Sequence, residues 1–381
     1  MQADFHYYAT YCAAILAGYT HGEALELCYS AQFVDCCTKT YLKSIGASIH
    51  ATTSQSQAEL VDVRTDIIGL QDITRIWASF HFLPKDLNAV TPRATRTYKN
   101  KYRLICGPNG ELLKDTVELA KGKSLQAFGI AMHVLADTWA HMNFAGTPSL
   151  VINNTTNDFY EVMFDGTLTK ISFRHAPGAS DDIENFTYNS TVFNPSEKNI
   201  LNLGHGHAGH LPDYSFIRYK YLPAWGGYRE CLKDNPSDYR NAFCQMIYAM
   251  KYFRGEMDAF NTDTYDEDAI KPYEDRIMEI LTKRRLDASE DWKLLGEELS
   301  GESIPDFDVN RYADEYRQAE DKDSTFLGRF AIAALSQKSM VTNKIFSSGN
   351  DLAGFSIDFQ KTGFGGIKDY MKLVKEKRNN S

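Results

Sequence analysis

The chain reads as a mainly α protein: a helical core over residues 1–225 carrying a small β insertion at 149–195, then a mainly helical region, 226–381, packed on that core. Three observations predict this. Apolar residues recur at three- and four-residue spacing through 23–45, 54–83 and 111–145, as in helices with one buried face. The run from Leu125 to His141 is apolar on nearly all sides, which marks a helix at the centre of a bundle. Residues 149–195 change to short alternating stretches, the pattern of half-buried strands. With 381 residues, 43% hydrophobic and 24% charged, the chain has the composition of an ordinary globular protein and not of a collagen-like, mucin-like or disordered one.

Each element follows in order. Ser124 is placed to cap the central helix, and Gly146-Thr147-Pro148 to stop the helical stretch. In the insertion, Ser149 to Ile152, Phe159 to Phe164 and Leu168 to Arg174 alternate, and Asp165-Gly166 offers a hairpin turn. Residues 196–225 read as a Gly- and His-rich loop, and helical spacing returns over 236–260. Between 256 and 323 there are 22 acidic and 9 basic residues, expected to form a solvated helical face. The basic tail, 324–381, includes Gly363-Phe364-Gly365-Gly366 and is expected to pack against that acidic stretch.

Charge and composition exclude several functions. A net charge of −9 gives no global basic field to hold nucleic acid or an anionic membrane, so any polyanionic substrate must be held locally, for instance by metal ions. Seven cysteines without a CxxC pair indicate neither a zinc ribbon nor a disulfide framework and are expected to be reduced and mostly buried. The start, Met1 to His6, has no basic segment before an apolar stretch, so no Sec-type signal peptide is evident and a cytoplasmic location is expected. Residues 5–22 lack Lys, Arg, Asp and Glu but are too rich in His, Thr and Tyr for a membrane span. The sequons at Asn153, Asn154, Asn185 and Asn189 read as matches by composition.

Familiar catalytic motifs fail. Gly122-Lys123-Ser124 resembles the end of a phosphate-binding loop, but Val117 stands where its first glycine belongs. There is no HExxH, His-Asp doublet or GxSxG. What survives is His133-x3-Asp137-x3-His141 on the apolar helix. Four residues turn a helix by about 400°, so the three side chains form a ladder on one face. Neutral imidazole and carboxylate suit zinc, and one carboxylate can bridge two ions. A polar core network is the competing reading, but burying three ionisable groups among apolar ones is costly without partners. Partners exist: Asp35 lies in an apolar turn, His81 between Phe80 and Phe82, and the loop Gly204 to Asp213 adds His205, His207, His210 and Asp213. All 10 histidines fall between His6 and His210.

The order Met1, His6, Asp35, His81, His133 with Asp137, His141, then the 205–213 cluster resembles the zinc-dependent phospholipase C and single-strand-specific nuclease superfamily, as an uncharacterised branch of it. The resemblance covers about 210 residues and implies an all-α core with two or three zinc ions. Asp35, His81, His133 and Asp137 would hold one ion, and Asp137 would bridge to a second held by His6 and the Met1 amine. His141, with His205 or His210 and Asp213, would hold the third. Position 1 is Met where that family has Trp, and Asp213 follows His210 by three residues where the family has four. The implied activity is phosphodiester hydrolysis of a nucleotide, nucleic acid or phospholipid head group, with Asp35 and Asp137 as the catalytic carboxylates; the alternative is a structural or sensory zinc protein. Tyr7, Tyr8, Phe80, Phe82, Trp139 and Phe144 stand near the ligands, either to meet substrate or as core.

Overall fold

The computed structural model describes residues 1–56, 59, 67–89, 102–147, 152–176, 178–190, 203–350 and 352. The chain opens with a π-helical turn, Asp4–Ala9, running into α1, Thr10–Leu16. Helix α2, His21–Cys36, begins with a reciprocal cap in which Thr20 accepts from the Glu23 amide and Glu23 reaches back to Thr20. A short α3, Lys39–Ser44, follows, then α4, Ile67–Phe80. Next come α5, Glu111–Ala120, and α6, Leu125–Ala140, which Ser124 caps as expected. Nearly every residue of α6 is buried, because α2, α5 and α7, Asn235–Phe253, all pack around it.

Close approach of α2 to α6 depends on Gly129. A Cβ there would sit 2.4 Å from Ser30 Cβ and 2.5 Å from the Leu27 carbonyl oxygen, distances that side-chain carbons do not tolerate. One turn further along α6 this proximity sets His133 beside the backbone of α2.

The class differs from the expectation: the protein is mixed α and β, not mainly α. Strands β1, Tyr160–Val162, and β2, Leu168–Lys170, form the expected hairpin, but they join β5, Arg218–Tyr221, and β6, Cys231–Asp234, in a four-stranded antiparallel sheet of order β2-β1-β5-β6. A second, parallel pair joins β3, Ser172–Arg174, to β4, Thr187–Asn189. The predicted Leu168 to Arg174 strand is therefore two strands in two sheets, parted at buried Ile171. Strand β5 lies in a segment read as loop; its four-residue Arg-Tyr-Lys-Tyr alternation buries Tyr219 and Tyr221, a signal too short to stand out between a glycine-rich loop and a tryptophan-glycine turn. Residues 149–151 and 191–195 of the expected insertion, Pro148, and Gly363 to Gly366 lie outside the described residues.

The acidic region forms short helices: α8, Glu267–Ile270, α9, Glu274–Thr282, α10, Ser289–Ser300, and α11, Ala313–Gln318. Long α12, Phe326–Ser347, closes the sequence of described helices. Beyond a solvated face, this region buries Ile277, Ile280, Leu281, Trp292 and Leu295. Phe5 packs edge-on against Trp292 and Tyr239 with centroids 6.1 and 5.0 Å away, and Tyr7 donates to the Pro305 carbonyl at 3.0 Å. Residues late in the chain thus hold the first turn, and with it Met1 and His6, against α6.

Candidate metal centre

Three groups of ligand atoms converge along α6: His6 with His133 and Asp137; Asp35 with His81 and His133; and His141 with His205 and Asp213. Asp137 lies at their hub. Its Oδ1 is 2.8 Å from the Met1 amine and 3.2 Å from His6 Nε2. Its Oδ2 is 3.2 Å from both His81 Nδ1 and His133 Nε2. The carboxylate therefore presents one oxygen to the amine and His6 and the other to His81 and His133. Although α6 ends at Ala140 and His141 is its C-cap, the His141 ring still turns inward, with Nε2 3.1 Å from Asp213 Oδ1 and 3.2 Å from the Met1 amine.

The backbone fixes the histidines. His133 Nδ1 lies 2.9 Å from the Ala31 carbonyl, His81 Nε2 2.9 Å from that of Thr53, His141 Nδ1 2.7 Å from that of His81, and His205 Nδ1 2.6 Å from that of Gly209. A carbonyl oxygen only accepts, so each of these ring nitrogens carries a hydrogen, and in the neutral ring the other nitrogen is a bare lone pair. His81 Nδ1 and His133 Nε2 point those lone pairs at one another across 3.3 Å, with Asp137 Oδ2 and, at 3.8 and 3.9 Å, Asp35 Oδ1 completing the set. Four acceptors converging in one place repel unless a proton or a metal cation sits among them. Zinc–nitrogen bonds of 2.0–2.1 Å in a tetrahedron separate ligand atoms by about 3.3 Å, so the residues present fit a metal ion. Outer hydrogen bonds from ligating histidines to carbonyls are also what metal sites use to set tautomer and orientation.

His6 is held differently. Its ring stacks on His133 with centroids 3.8 Å apart, and its buried Nδ1 has no hydrogen-bond partner among the described residues. The π-helical turn that carries it, closed by the Thr10 amide on the Phe5 carbonyl, is a distortion frequent at functional sites.

Electrostatics without a bound ion match this crowding. Burial lowers the pKa of the Met1 ammonium, but Asp137, Asp213 and Asp35 outweigh it and raise it to about 11. Burial and the adjacent His133 push His6 down to about 4, and burial pushes His205 down to about 4. Against the penalty of burial, His141, the amine, His133 and His6 hold Asp137 well below the usual carboxylate range; His205 and the amine do the same for Asp213.

All ten expected ligand residues gather in this region. His205, not His210, groups with His141 and Asp213, with His205 Nε2 3.7 Å from Asp213 Oδ2. His210 is 54% exposed and touches the same oxygen from outside through Nδ1 at 3.3 Å. Between them Gly209, at φ +55°, passes so close to Asn189 that a Cβ would lie 2.1 Å from its carbonyl oxygen. His207 is buried away from the three groups. The Asp4 carboxylate belongs to none of the three groups: it accepts from the amides of Phe5 and Ala288. Tyr7, Tyr8, Phe80, Phe82, Trp139 and Phe144 are all buried, so they are core; Phe82 stacks on His141 at 4.7 Å. Asp35, with its side chain 32% exposed, is the most open ligand of its group. The carbonyl anchors Ala31, Thr53 and Gly209 gave no sequence signal, because the backbone group does the holding.

Among the described residues no helix is long and apolar enough to cross a membrane. Comparison with curated proteins and with solved structures gives no match. A family model does match, over residues 1–345, a span that contains every ligand named above, and the chain accordingly belongs to DUF6765, a family of unknown function.

Proposed function

We propose that this protein is a zinc-dependent phosphoester hydrolase with two or three ions, a branch related to the zinc phospholipase C and single-strand nuclease enzymes. The observation that carries the reading is Asp137, whose two oxygens serve two separate ligand groups. Asp35, His81, His133 and Asp137 would hold one ion; His6, the Met1 amine and Asp137 a second; His141, His205 and Asp213 a third. When bound, such ions supply Lewis acidity and positive charge to a phosphoryl group. The chain's own contribution is to orient and to move a proton. Asp35 is the solvent-reaching carboxylate of its group and is placed to accept a proton from an attacking water. Buried carbonyl-anchored rings keep the other ligands from turning, so little reorganisation accompanies the reaction. The substrate class is a phosphodiester, of a nucleotide, nucleic acid or phospholipid head group.

The test is elemental analysis of untagged protein followed by hydrolysis of bis-nitrophenyl phosphate with and without chelator. Two or more zinc equivalents and a chelator-sensitive rate support the reading. Deep burial of most ligand atoms favours one other reading, metal held for structure; metal-loaded protein inert on diesters, nucleotides, nucleic acids and phospholipids would establish it instead.

A further inference from the structure

A cleft of about 680 Å³ opens between α3, residues 49–55, α4 and α12. Its lining carries Lys39, Lys43, Arg75 and Lys338, with His50 at the rim, against two carboxylates, Glu59 and Asp72. In a chain with net charge −9 this local excess of cations stands out, and none of the four forms an ion pair with a carboxylate among the described residues. Glu59 is already engaged, accepting from the Thr40 amide and hydroxyl at 2.8 and 2.6 Å and from the Ser56 amide. Among the described residues the Lys338 ammonium reaches the His50 and Thr52 carbonyls and no carboxylate. Arg75 lies over the Phe346 ring, and its Nε is buried without a hydrogen-bond partner among the described residues. Ile73, Ile76 and Leu335 supply an apolar wall. The volume is that of a small-molecule site, and unpaired cations on a low-dielectric wall attract anions strongly.

We infer that this cleft binds a small phosphate-chain anion, held by Lys39, Lys43, Arg75 and Lys338. The site is separate from the metal centre but adjoins it: Thr52 and Gln55 line the cleft, while Thr53 between them holds His81 through its carbonyl. The inference does not rest on the hydrolase reading.

The experiment is calorimetric titration of the full chain with inorganic tripolyphosphate, in parallel with Asp137→Asn and with the double variant Lys39→Glu, Lys43→Glu. Both lysines are exposed, so their replacement leaves the core intact. Binding is expected in the unaltered chain and, within about twofold, in Asp137→Asn, and is expected to weaken about tenfold or more in the lysine variant. Arg75→Gln should weaken it as well. Titration with ATP identifies the body of the ligand: equal affinity assigns the phosphate chain alone, and tighter binding adds the apolar wall. No binding, or binding lost in Asp137→Asn and kept in the lysine variant, would overturn the inference, the latter by placing the anion at the metal centre.

Discussion

The two ends of the ligand array are built differently. At one end, Asp35, His81, His133 and Asp137 come from or just beyond the ends of α2, α4 and α6, and their rings are locked by carbonyls of Ala31 and Thr53. At the other, His205, His210 and Asp213 come from two three-residue 3-10 turns and their flanks, threaded by a glycine at positive φ. A helix repeats a side chain's direction every fourth residue, so its ligands announce themselves by spacing; a turn aims each side chain separately. Position along the helix therefore predicts function at the first end, and only the fold decides it at the second.

The hub joining the two ends should be the most sensitive point. Asp137→Asn is expected to release more than one metal equivalent, read by elemental analysis, and to lower diester hydrolysis about a thousandfold or more, since several kcal/mol of transition-state charge stabilisation would go with the ions. Loss of one equivalent only would show that the carboxylate does not bridge.

Within the turn-borne end, His205→Ala should cost one metal equivalent while His210→Ala keeps it. The reverse result would make His210 the ligand and reject the orientation seen here. Residues added before Met1 should likewise remove one equivalent, because the amine sits 2.8 Å from Asp137 Oδ1 in a buried space; equal metal content with and without the extension would remove the amine from the ligand set.

Acid should separate the ends least. In metal-free protein His6 and His205 titrate near 4 against about 6.5 unfolded, so the unfolded chain binds more protons between those values. Stability should therefore be full above about pH 6.5 and fall as pH drops towards 4, by up to about 3 kcal/mol per histidine. His81 and His210, both raised, the first by Asp137 against the penalty of burial and the second by its hydrogen bond to Asp213, act in the opposite sense and reduce the loss. Urea midpoints with chelator at neutral and acid pH measure the net; a midpoint that rises on acidification would show that the raised pair dominates.

Legibility in the sequence followed the same division. The central helix, its Ser124 cap and the ladder on it were readable because burial of three ionisable groups on an apolar helix demands partners. The choice of His205 over His210 was not, since both lie in one glycine-rich loop and the carbonyl of Gly209 decides between them. Nor was the four-stranded sheet, whose β5 and β6 are four residues each. The role of the acidic region as a brace for the first turn was hidden because charge density masks the few apolar residues, Trp292 foremost, that do the packing.

Four rings in this centre take their orientation from peptide oxygens, and a peptide oxygen is present whatever side chain its residue bears. Positions 31 and 53 can therefore drift in identity, within the limits of space, while continuing to steer the histidines; position 209 cannot, because a Cβ there would lie 2.1 Å from the Asn189 carbonyl oxygen. At position 81 the two kinds of instruction part company: replacing the imidazole removes a candidate ligand, yet its carbonyl still directs His141. A saturation scan should accordingly draw a map of sharp contrast, with silent sites lying directly behind intolerant ones. Behind these rings the path of the main chain, more than the side chains it carries, sets the direction of each imidazole.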